Sequence, residues 1–153
     1  MSLREKFQTG LKEAMHSQNK MAIATIRLIS AALKDRDIAA RSKGNTEGIA
    51  EEEILAMMQT MIKQRRESIK MYEQGGREEL ALREQQEIDI IETFLPRQIT
   101  GDEMEAAVDQ AIEKENATCI KDMGRVMGYL RNEYAGQMDF GQASVIIKKR
   151  LVG

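Results

Sequence analysis

The sequence predicts an all-α protein with about seven helices in two helical subdomains. Aromatic residues make up only 4% of the 153 residues, there is one proline, and β-branched residues rarely occur in runs. These features disfavour a β-sandwich or a barrel. Hydrophobic residues make up 42% of the chain and recur at spacings of three and four, as on one face of a helix. That apolar fraction is sufficient to form a core.

Two helices are predicted before residue 42. Ser2-Leu-Arg-Glu5 is a capping box, in which the hydroxyl and the carboxylate bind the first backbone N–H groups of the helix. Asn19 is a suitable N-cap for the second helix, which extends to about Arg41. The apolar faces of the two helices comprise Leu3, Phe7, Leu11, Met15, Ile23, Ile26, Ile29 and Leu33.

A long antiparallel hairpin is predicted over residues 50–95. Two consecutive glycines, Gly75-Gly76, end its first helix and form the turn. Pro96 ends its second helix, because proline disfavours helical geometry in the residue before it. Residues 1–95 therefore form the predicted N-terminal domain.

A small three-helix domain is predicted over residues 100–153. Its helices begin at short polar residues that can serve as N-caps, namely Thr100, Thr118 and Asp139. Thr100 and Glu103 have the spacing of a second capping box. Below about 70 residues a helical unit is marginally stable alone. We therefore expect this domain to pack against the first domain or against a partner.

Two charged residues fall in the centres of the apolar faces of the hairpin. Arg65 lies on the inner face of the first helix and Glu84 on that of the second. In an antiparallel hairpin with its turn at Gly75-Gly76, the residue numbers of two facing positions should add to about 151. The numbers 65 and 84 add to 149, so the two side chains should meet. Because a buried arginine is costly without a partner, we interpret them as a structural ion pair. The alternative is that Arg65, with Arg66 and Lys63, binds phosphate in a groove between the domains.

The net charge of −2 conceals three zones. Residues 1–45 contain nine Lys or Arg and four Asp or Glu, residues 46–116 contain eight and 18, and residues 117–153 contain six and three, which gives +5, −10 and +3. Basic ends favour a polyanionic partner, although helix surfaces are also charged for solubility alone. The pI near 5.6 argues against a dedicated DNA-binding domain.

Composition excludes several kinds of site. With one histidine, His16, and one cysteine, Cys119, the chain lacks the residues for a His- or Cys-rich metal site, an internal disulfide or a CxxC redox pair. No catalytic constellation is evident, and we expect neither a metal nor a cofactor. Because the sequence shows no signal peptide and no membrane-spanning apolar stretch, and has one reduced thiol, it predicts a cytoplasmic protein without a membrane role.

The small domain contains the candidate binding residues. Basic side chains near helix ends are suited to phosphate-backbone contacts, and those predicted to bind tRNA phosphates are Lys121, Arg125, Lys148, Lys149 and Arg150. Solubility and a favourable interaction with the helix dipole would explain the same residues. Gly124 and Gly128 form a GxxxG pattern, which predicts close packing of another helix.

Four stretches resemble the YqeY-like family, in matching order. They are Lys63-Gln-Arg-Arg-Glu-Ser-Ile69, Tyr72-Glu-Gln-Gly-Gly-Arg-Glu-Glu-Leu80, Ile91-Glu-Thr-Phe-Leu-Pro-Arg-Gln98 and Lys121-Asp-Met-Gly-Arg-Val-Met-Gly128. Members of this family resemble the C-terminal helical and tail region of the B subunit of the glutamine-dependent amidotransferase that acts on misacylated Glu-tRNA(Gln) and Asp-tRNA(Asn). The resemblance implies an all-α fold of two helical subdomains.

The function that this resemblance implies is non-catalytic. In the amidotransferase the tail region contacts tRNA, whereas ammonia production and transfer belong to other domains and subunits. We therefore expect a helical module that binds tRNA or a tRNA-handling enzyme through its small domain. The alternative is an accessory or assembly subunit that binds protein through the acidic central helices and the exposed hairpin. That alternative includes a component of a carbon–nitrogen ligase that uses glutamine as amido donor.

Overall fold

The computed structural model describes residues 1–152, and these form seven α-helices and no strand, which confirms the predicted all-α class. The helices are α1 (Leu3–His16), α2 (Lys20–Ser42), α3 (Glu51–Gln74), α4 (Glu78–Glu92), α5 (Gly101–Lys114), α6 (Met123–Glu133) and α7 (Phe140–Val152). A short 3-10 helix, Ile120–Asp122, precedes α6. The chain divides into two compact units, of which unit 1 comprises Met1–Pro96 and unit 2 begins at Arg97.

The core of unit 1 is built from one face of each of its four helices. At its edge the rings of Phe7 and Phe94 meet edge to face with centroids 5.1 Å apart, a favoured aromatic geometry. This contact holds the start of α1 against the turn that follows α4. The buried residues of the core are Leu3, Phe7, Ile29, Leu33, Ile49, Ile54, Met57, Met58, Met61, Ile62, Ile88 and Ile91.

A charged cluster joins α1, α2 and the segment before α3. The Arg4 guanidinium donates from Nη1 to Asp37 Oδ2 at 2.7 Å and from Nη2 to Asp37 Oδ1 at 3.0 Å. Arg4 Nη2 also donates to the Ile49 carbonyl at 3.1 Å, and the Ile49 N–H donates to Asp37 Oδ1 at 2.9 Å. The bond from Arg4, together with that from Ile49, lowers the pKa of the Asp37 carboxyl to about 2.

Gly48 is required beside this cluster for two reasons. Its φ of +94° lies in the left-handed region, which side chains rarely adopt. A Cβ at this position would lie only 2.7 Å from Arg4 Nη2 and 3.0 Å from Asp37 Oδ1. The glycine therefore allows the chain to turn directly over the ion pair before α3 begins.

The hairpin of α3 and α4 contains an ion pair, but its acidic member differs from the predicted one. Arg65 Nε donates to Glu87 Oε2 at 3.0 Å, and both side chains keep only 14% of their exposure. Arg65 Nη1 also donates to the carbonyl of Met61 at 3.1 Å. Glu84 and Glu87 lie three residues apart and hence on the same side of α4, so the helical pattern does not distinguish them. Positions 65 and 87 add to 152, which is closer to the expected 151 than the sum of 149 for Glu84.

Glu84 is left in a less favourable environment than predicted. Partial burial, followed by the charge of Glu87, raises the pKa of the Glu84 carboxyl above its usual value, and Arg65 and Arg83 only partly offset this effect. The ionised form of Glu84 is therefore disfavoured in the folded state. Glu84 is not the partner that fixes the hairpin register.

Several predicted helix ends differ from the structure. Helix α4 ends at Glu92 instead of continuing to Leu95, because Thr93, Phe94 and Leu95 form tighter turns whose N–H groups donate to carbonyls three residues back. Thr100 precedes α5 without a side-chain capping bond, and the side chain of Glu103, the other member of the predicted capping box, instead accepts from Arg97 at 3.0 and 2.6 Å. By contrast, Ser2 and Asn19 accept from N–H groups three residues later, as predicted.

The hairpin ion pair predicts opposite effects for two neighbouring substitutions. Glu87→Gln should lower the free energy of unfolding by about 1–3 kcal/mol, because it leaves Arg65 without its partner. Glu84→Gln should leave the stability at pH 7 unchanged or raise it, because the raised pKa means that ionised Glu84 opposes folding. Urea unfolding of both variants measures the difference. If Glu84→Gln lowered the free energy of unfolding as much as Glu87→Gln does, the prediction would be contradicted and the Arg65–Glu84 pair supported.

The Arg4–Asp37 cluster predicts a loss of stability in acid. A carboxyl whose pKa is lowered on folding stabilises the folded state above its unfolded pKa, and this contribution disappears as the pH falls from about 4 to about 2. Asp37→Asn should therefore cost about 1–2 kcal/mol at pH 7 and little near pH 2. The free energy of unfolding of the wild type and of Asp37→Asn, measured between pH 7 and pH 2, tests this prediction. The control is Asp35→Asn, which changes an exposed residue of the same helix, α2. A cost for Asp37→Asn that is independent of pH would contradict it.

Candidate nucleic-acid interface

Unit 2 places α6 and α7 on a common apolar core. Its entry segment is fixed to the loop between these helices, where Ile99 N–H donates to Gln137 O and Gln98 Nε2 donates to Gly136 O, both at 2.6 Å. Gly136 is buried and has a φ of +75°. The buried core comprises Ile99, Met104, Ala107, Val108, Ala111, Val126, Met127, Leu130, Met138, Ala143 and Ile147. Burial of these faces leaves the opposite faces of α6 and α7 exposed.

Asp122 organises the start of α6. Its Oδ2 accepts from the N–H groups of Thr118 at 2.9 Å and Cys119 at 3.3 Å, while Arg125 Nη2 lies 2.8 Å from its Oδ1. The bond from Thr118, followed by those from Arg125 and Cys119, lowers the pKa of the Asp122 carboxyl to about 2. The predicted role of Thr118 as the cap of α6 is thus wrong, because the residue at the cap of the preceding 3-10 helix is Cys119.

The outer face of α6 combines basic residues with glycines. Gly124, Arg125 and Gly128 lie on one side of α6, and Lys121 precedes them in the 3-10 helix. All four are exposed. A Cβ built on Gly124 or Gly128 meets no atom within 4 Å. The prediction of close helix packing at this GxxxG pattern is therefore wrong for the described chain, because the two glycines face open space.

The outer face of α7 contains two exposed lysines. Lys148 and Lys149 have no ion-pair partner within residues 1–152. They lie between two exposed apolar residues, Val145 and Val152, which keep 53% and 73% of their exposure. This face therefore presents unneutralised positive charge together with apolar surface.

Arg150, unlike its neighbours Lys148 and Lys149, forms ion pairs within unit 2. Its Nε donates to Asp109 Oδ1 at 2.9 Å, and its Nη2 lies 3.6 Å from Glu105 Oε1. The residue thereby connects α7 with α5, and its charge is already matched within unit 2. Arg125 likewise has Asp122 as its partner. Of the five predicted phosphate-binding residues, three lysines thus remain unpaired and two arginines bind carboxylates.

The organising role of Asp122 was missed from the sequence, although a signal was present. Cys119 and Asp122 have the spacing of a capping box, with cysteine in the place usually taken by serine or threonine. Thr118, a more common capping residue, directly precedes Cys119, so the cap is predicted one position too early. Recognition of an acidic third residue after Cys119 would have located the turn correctly.

Residues 1–152 contain neither a cluster of metal-ligating side chains nor a membrane-spanning helix. No group of three or more His, Cys, Asp or Glu side chains in this range is arranged to hold a metal ion. None of the helices in the same range is both long and apolar enough to cross a bilayer.

The open surroundings of the α6 glycines predict that alanine is tolerated there. Gly124→Ala and Gly128→Ala should each raise the free energy of unfolding by up to about 1 kcal/mol, because alanine favours helix and nothing obstructs its methyl group. Gly136→Ala is the matched control, since its φ of +75° should make alanine destabilising. Denaturant unfolding measures all three variants. A lower free energy of unfolding for Gly124→Ala or Gly128→Ala would contradict the prediction, because it would show that other atoms occupy the space beside these glycines.

Comparison with known proteins identifies relatives over most of the chain. A Vanderwaltozyma polyspora protein named altered inheritance of mitochondria protein 41 is 26% identical over 147 residues, which covers 90% of this chain and 77% of the relative. The Saccharomyces cerevisiae protein of that name is 30% identical over 104 residues, covering 68% of this chain and 53% of the relative. The Pyrenophora tritici-repentis protein is 28% identical over 131 residues, covering 82% and 70%.

These relatives correct the predicted location. All three bear the word mitochondrial in their names, which contradicts the prediction of a cytoplasmic protein. The prediction depended on the lack of a recognisable targeting segment, and such a lack says little about where a protein acts.

The family assignment follows from a match that spans nearly the whole chain. A family model described as Yqey-like protein matches residues 4–151, a range that includes all four of the stretches on which the resemblance was based. The chain therefore belongs to the YqeY-like family.

Proposed function

We propose that this protein is a non-catalytic accessory module that binds the phosphate backbone of tRNA through unit 2. The observation that carries the proposal is the set of unpaired lysines on the outer faces of unit 2. Lys121 lies in the 3-10 helix that precedes α6, and Lys148 and Lys149 lie on α7. Contacts of this kind neutralise phosphates and release counterions, and they require no specific base sequence.

The pairing of the arginines makes the lysines the principal contacts. Arg150 is held by two carboxylates, so withdrawing it for phosphate would leave Asp109 and Glu105 without their partner. Arg125 lies on an exposed face, and its pairing with Asp122 spans only three residues. Both arginines form exposed pairs that contribute little, but Arg125 has one carboxylate to exchange for a phosphate whereas Arg150 has two. We therefore assign Arg125 a secondary contact.

The resemblance to the amidotransferase tail region supports tRNA as the polyanionic partner. Lys121, Gly124, Arg125 and Gly128 occupy the tail-like motif, and the open space above the two glycines allows a backbone to approach α6 closely. Few aromatic side chains accompany these residues, so base stacking contributes little. Recognition would therefore depend on backbone shape.

A protein-binding accessory role is the second candidate, and one observation in unit 1 favours it. Met71 on α3 and Leu82 on α4 keep 72% and 60% of their exposure near the turn of the hairpin. Exposed apolar residues that form a contiguous patch can mark a protein-interaction site. This candidate predicts that Met71→Lys and Leu82→Lys reduce recovery of a defined protein partner, whereas lysine substitutions in unit 2 leave it unchanged.

The tRNA proposal predicts a specific salt dependence. Lys148→Ala and Lys149→Ala should each reduce the slope of log affinity against log salt by about one, because each removes one phosphate contact. Fluorescence anisotropy with labelled tRNA over a range of salt concentrations measures this slope.

The matched control is Lys114→Ala, an exposed lysine on α5 of the same unit. It should leave the slope unchanged. If Lys114→Ala had the same effect as the α7 variants, binding would reflect net charge alone. If tRNA failed to bind the wild-type protein even at low salt, the proposal would be wrong.

A further inference from the structure

An open cavity of about 540 Å³ lies in unit 1, along one side of α1. Its apolar floor is formed by side chains from three helices and the turn after α4, among them Ala14, Ile26, Ile90 and Phe94. Its volume is within the range of sites that bind ligands or partner side chains. Lys6 and Glu13 line the same cavity from α1, and neither has an ion-pair partner within residues 1–152.

The wall of the cavity is fixed by a close contact at Gly10. A Cβ at Gly10 would lie 2.9 Å from Cζ of Phe94, so the ring of Phe94 packs directly against the helix backbone. The contact of Phe94 with Phe7 holds the ring on its other side. The cavity is therefore a structured feature of unit 1, and small residues line its α1 side between Lys6 and Glu13.

The residues of α1 along this cavity form a self-complementary pattern. Among the α1 residues that line it, the pairs whose numbers add to 19 are Lys6 with Glu13 and Thr9 with Gly10. Reversing the direction of the helix thus exchanges a positive charge for a negative one, with Thr9 and Gly10 at the centre. Lys6 and Glu13 are seven residues apart, or about 10 Å along the axis, and lie on the same face.

We infer that this face binds a second copy of the chain, with the two α1 helices antiparallel about a two-fold axis near Thr9 and Gly10. In this arrangement Lys6 of each copy lies opposite Glu13 of the other, which gives two equivalent ion pairs. A two-fold interface requires such self-complementarity, because the same surface contacts itself. The inference concerns unit 1 and does not depend on the proposed tRNA contacts of unit 2.

The same arrangement provides an apolar group for the cavity. Met1 is 77% exposed and lines the cavity at one end of α1. In an antiparallel pair Met1 of one copy lies near position 18 of the other, beside Ala14 and Ala22 of the cavity floor. A small ion would neutralise only one of the two charges on the rim, whereas a second copy neutralises both. Charge complementarity therefore favours a second copy as the occupant.

Charge reversal tests the inference. Lys6→Glu places two glutamates on the face, and Glu13→Lys places two lysines there, so each variant alone should dissociate at least about tenfold more readily than the wild type. The double variant Lys6→Glu/Glu13→Lys restores complementarity and should dimerise again. An equimolar mixture of the two single variants should form a mixed dimer. Analytical ultracentrifugation over a range of protein concentrations measures each case.

The control is Lys12→Glu, which changes the net charge as Lys6→Glu does but lies outside the face. It should dimerise like the wild type, and circular dichroism should show equal helix content in all variants. A wild-type protein that stays monomeric at high concentration would overturn the inference. So would single variants that dimerise as well as the wild type, or a double variant that fails to recover.

Discussion

The ion pair of Arg4 with Asp37 is the interaction on which the arrangement of unit 1 depends. It joins α1 to α2 and, through both backbone groups of Ile49, to the segment that begins α3. Partly buried charges at such a junction are favourable when they are paired and hydrogen-bonded, and here Arg4 donates three hydrogen bonds while Asp37 accepts from both Arg4 and Ile49. The position of α1 in turn sets the contact of Phe7 with Phe94 and orients the cavity face. A local electrostatic contact thus determines which surface of α1 remains available.

Both units use part of their positive charge in internal ion pairs. Arginines form these pairs, as with Asp37 and Glu87 in unit 1 and with Asp122 and Asp109 in unit 2. A planar guanidinium with five donors is suited to such fixed contacts, whereas an ammonium group is strongly hydrated and mobile. The lysines on the outer faces of unit 2 are correspondingly left to solvent or to a partner. Counting basic residues alone overestimates the charge available for phosphate.

The sequence was sufficient to predict the helices because their signals are local. Apolar spacing, the caps at Ser2 and Asn19 and the break at Pro96 act within a few residues. Partners across the fold were harder to predict. Glu84 and Glu87 lie on the same side of α4, and only the actual register assigns Arg65 to Glu87. The GxxxG pattern likewise shows where a helix can be approached, but it does not show that another helix is there.

Salt concentration acts on both of the proposed contacts, and it cannot distinguish them by itself. Ion pairs across a surface and contacts with phosphates both weaken as salt is added, since counterions screen exposed charge. A dimer that dissociates in salt would also lose any gain from presenting two sets of lysines to one polyanion. An apparent salt slope for tRNA would then exceed the number of lysines in one copy. Because the dimer face lies in unit 1 and the lysines lie in unit 2, substitutions in one unit leave the charges of the other intact. Measuring the slope in a variant that is held monomeric therefore gives the contribution of the lysines alone.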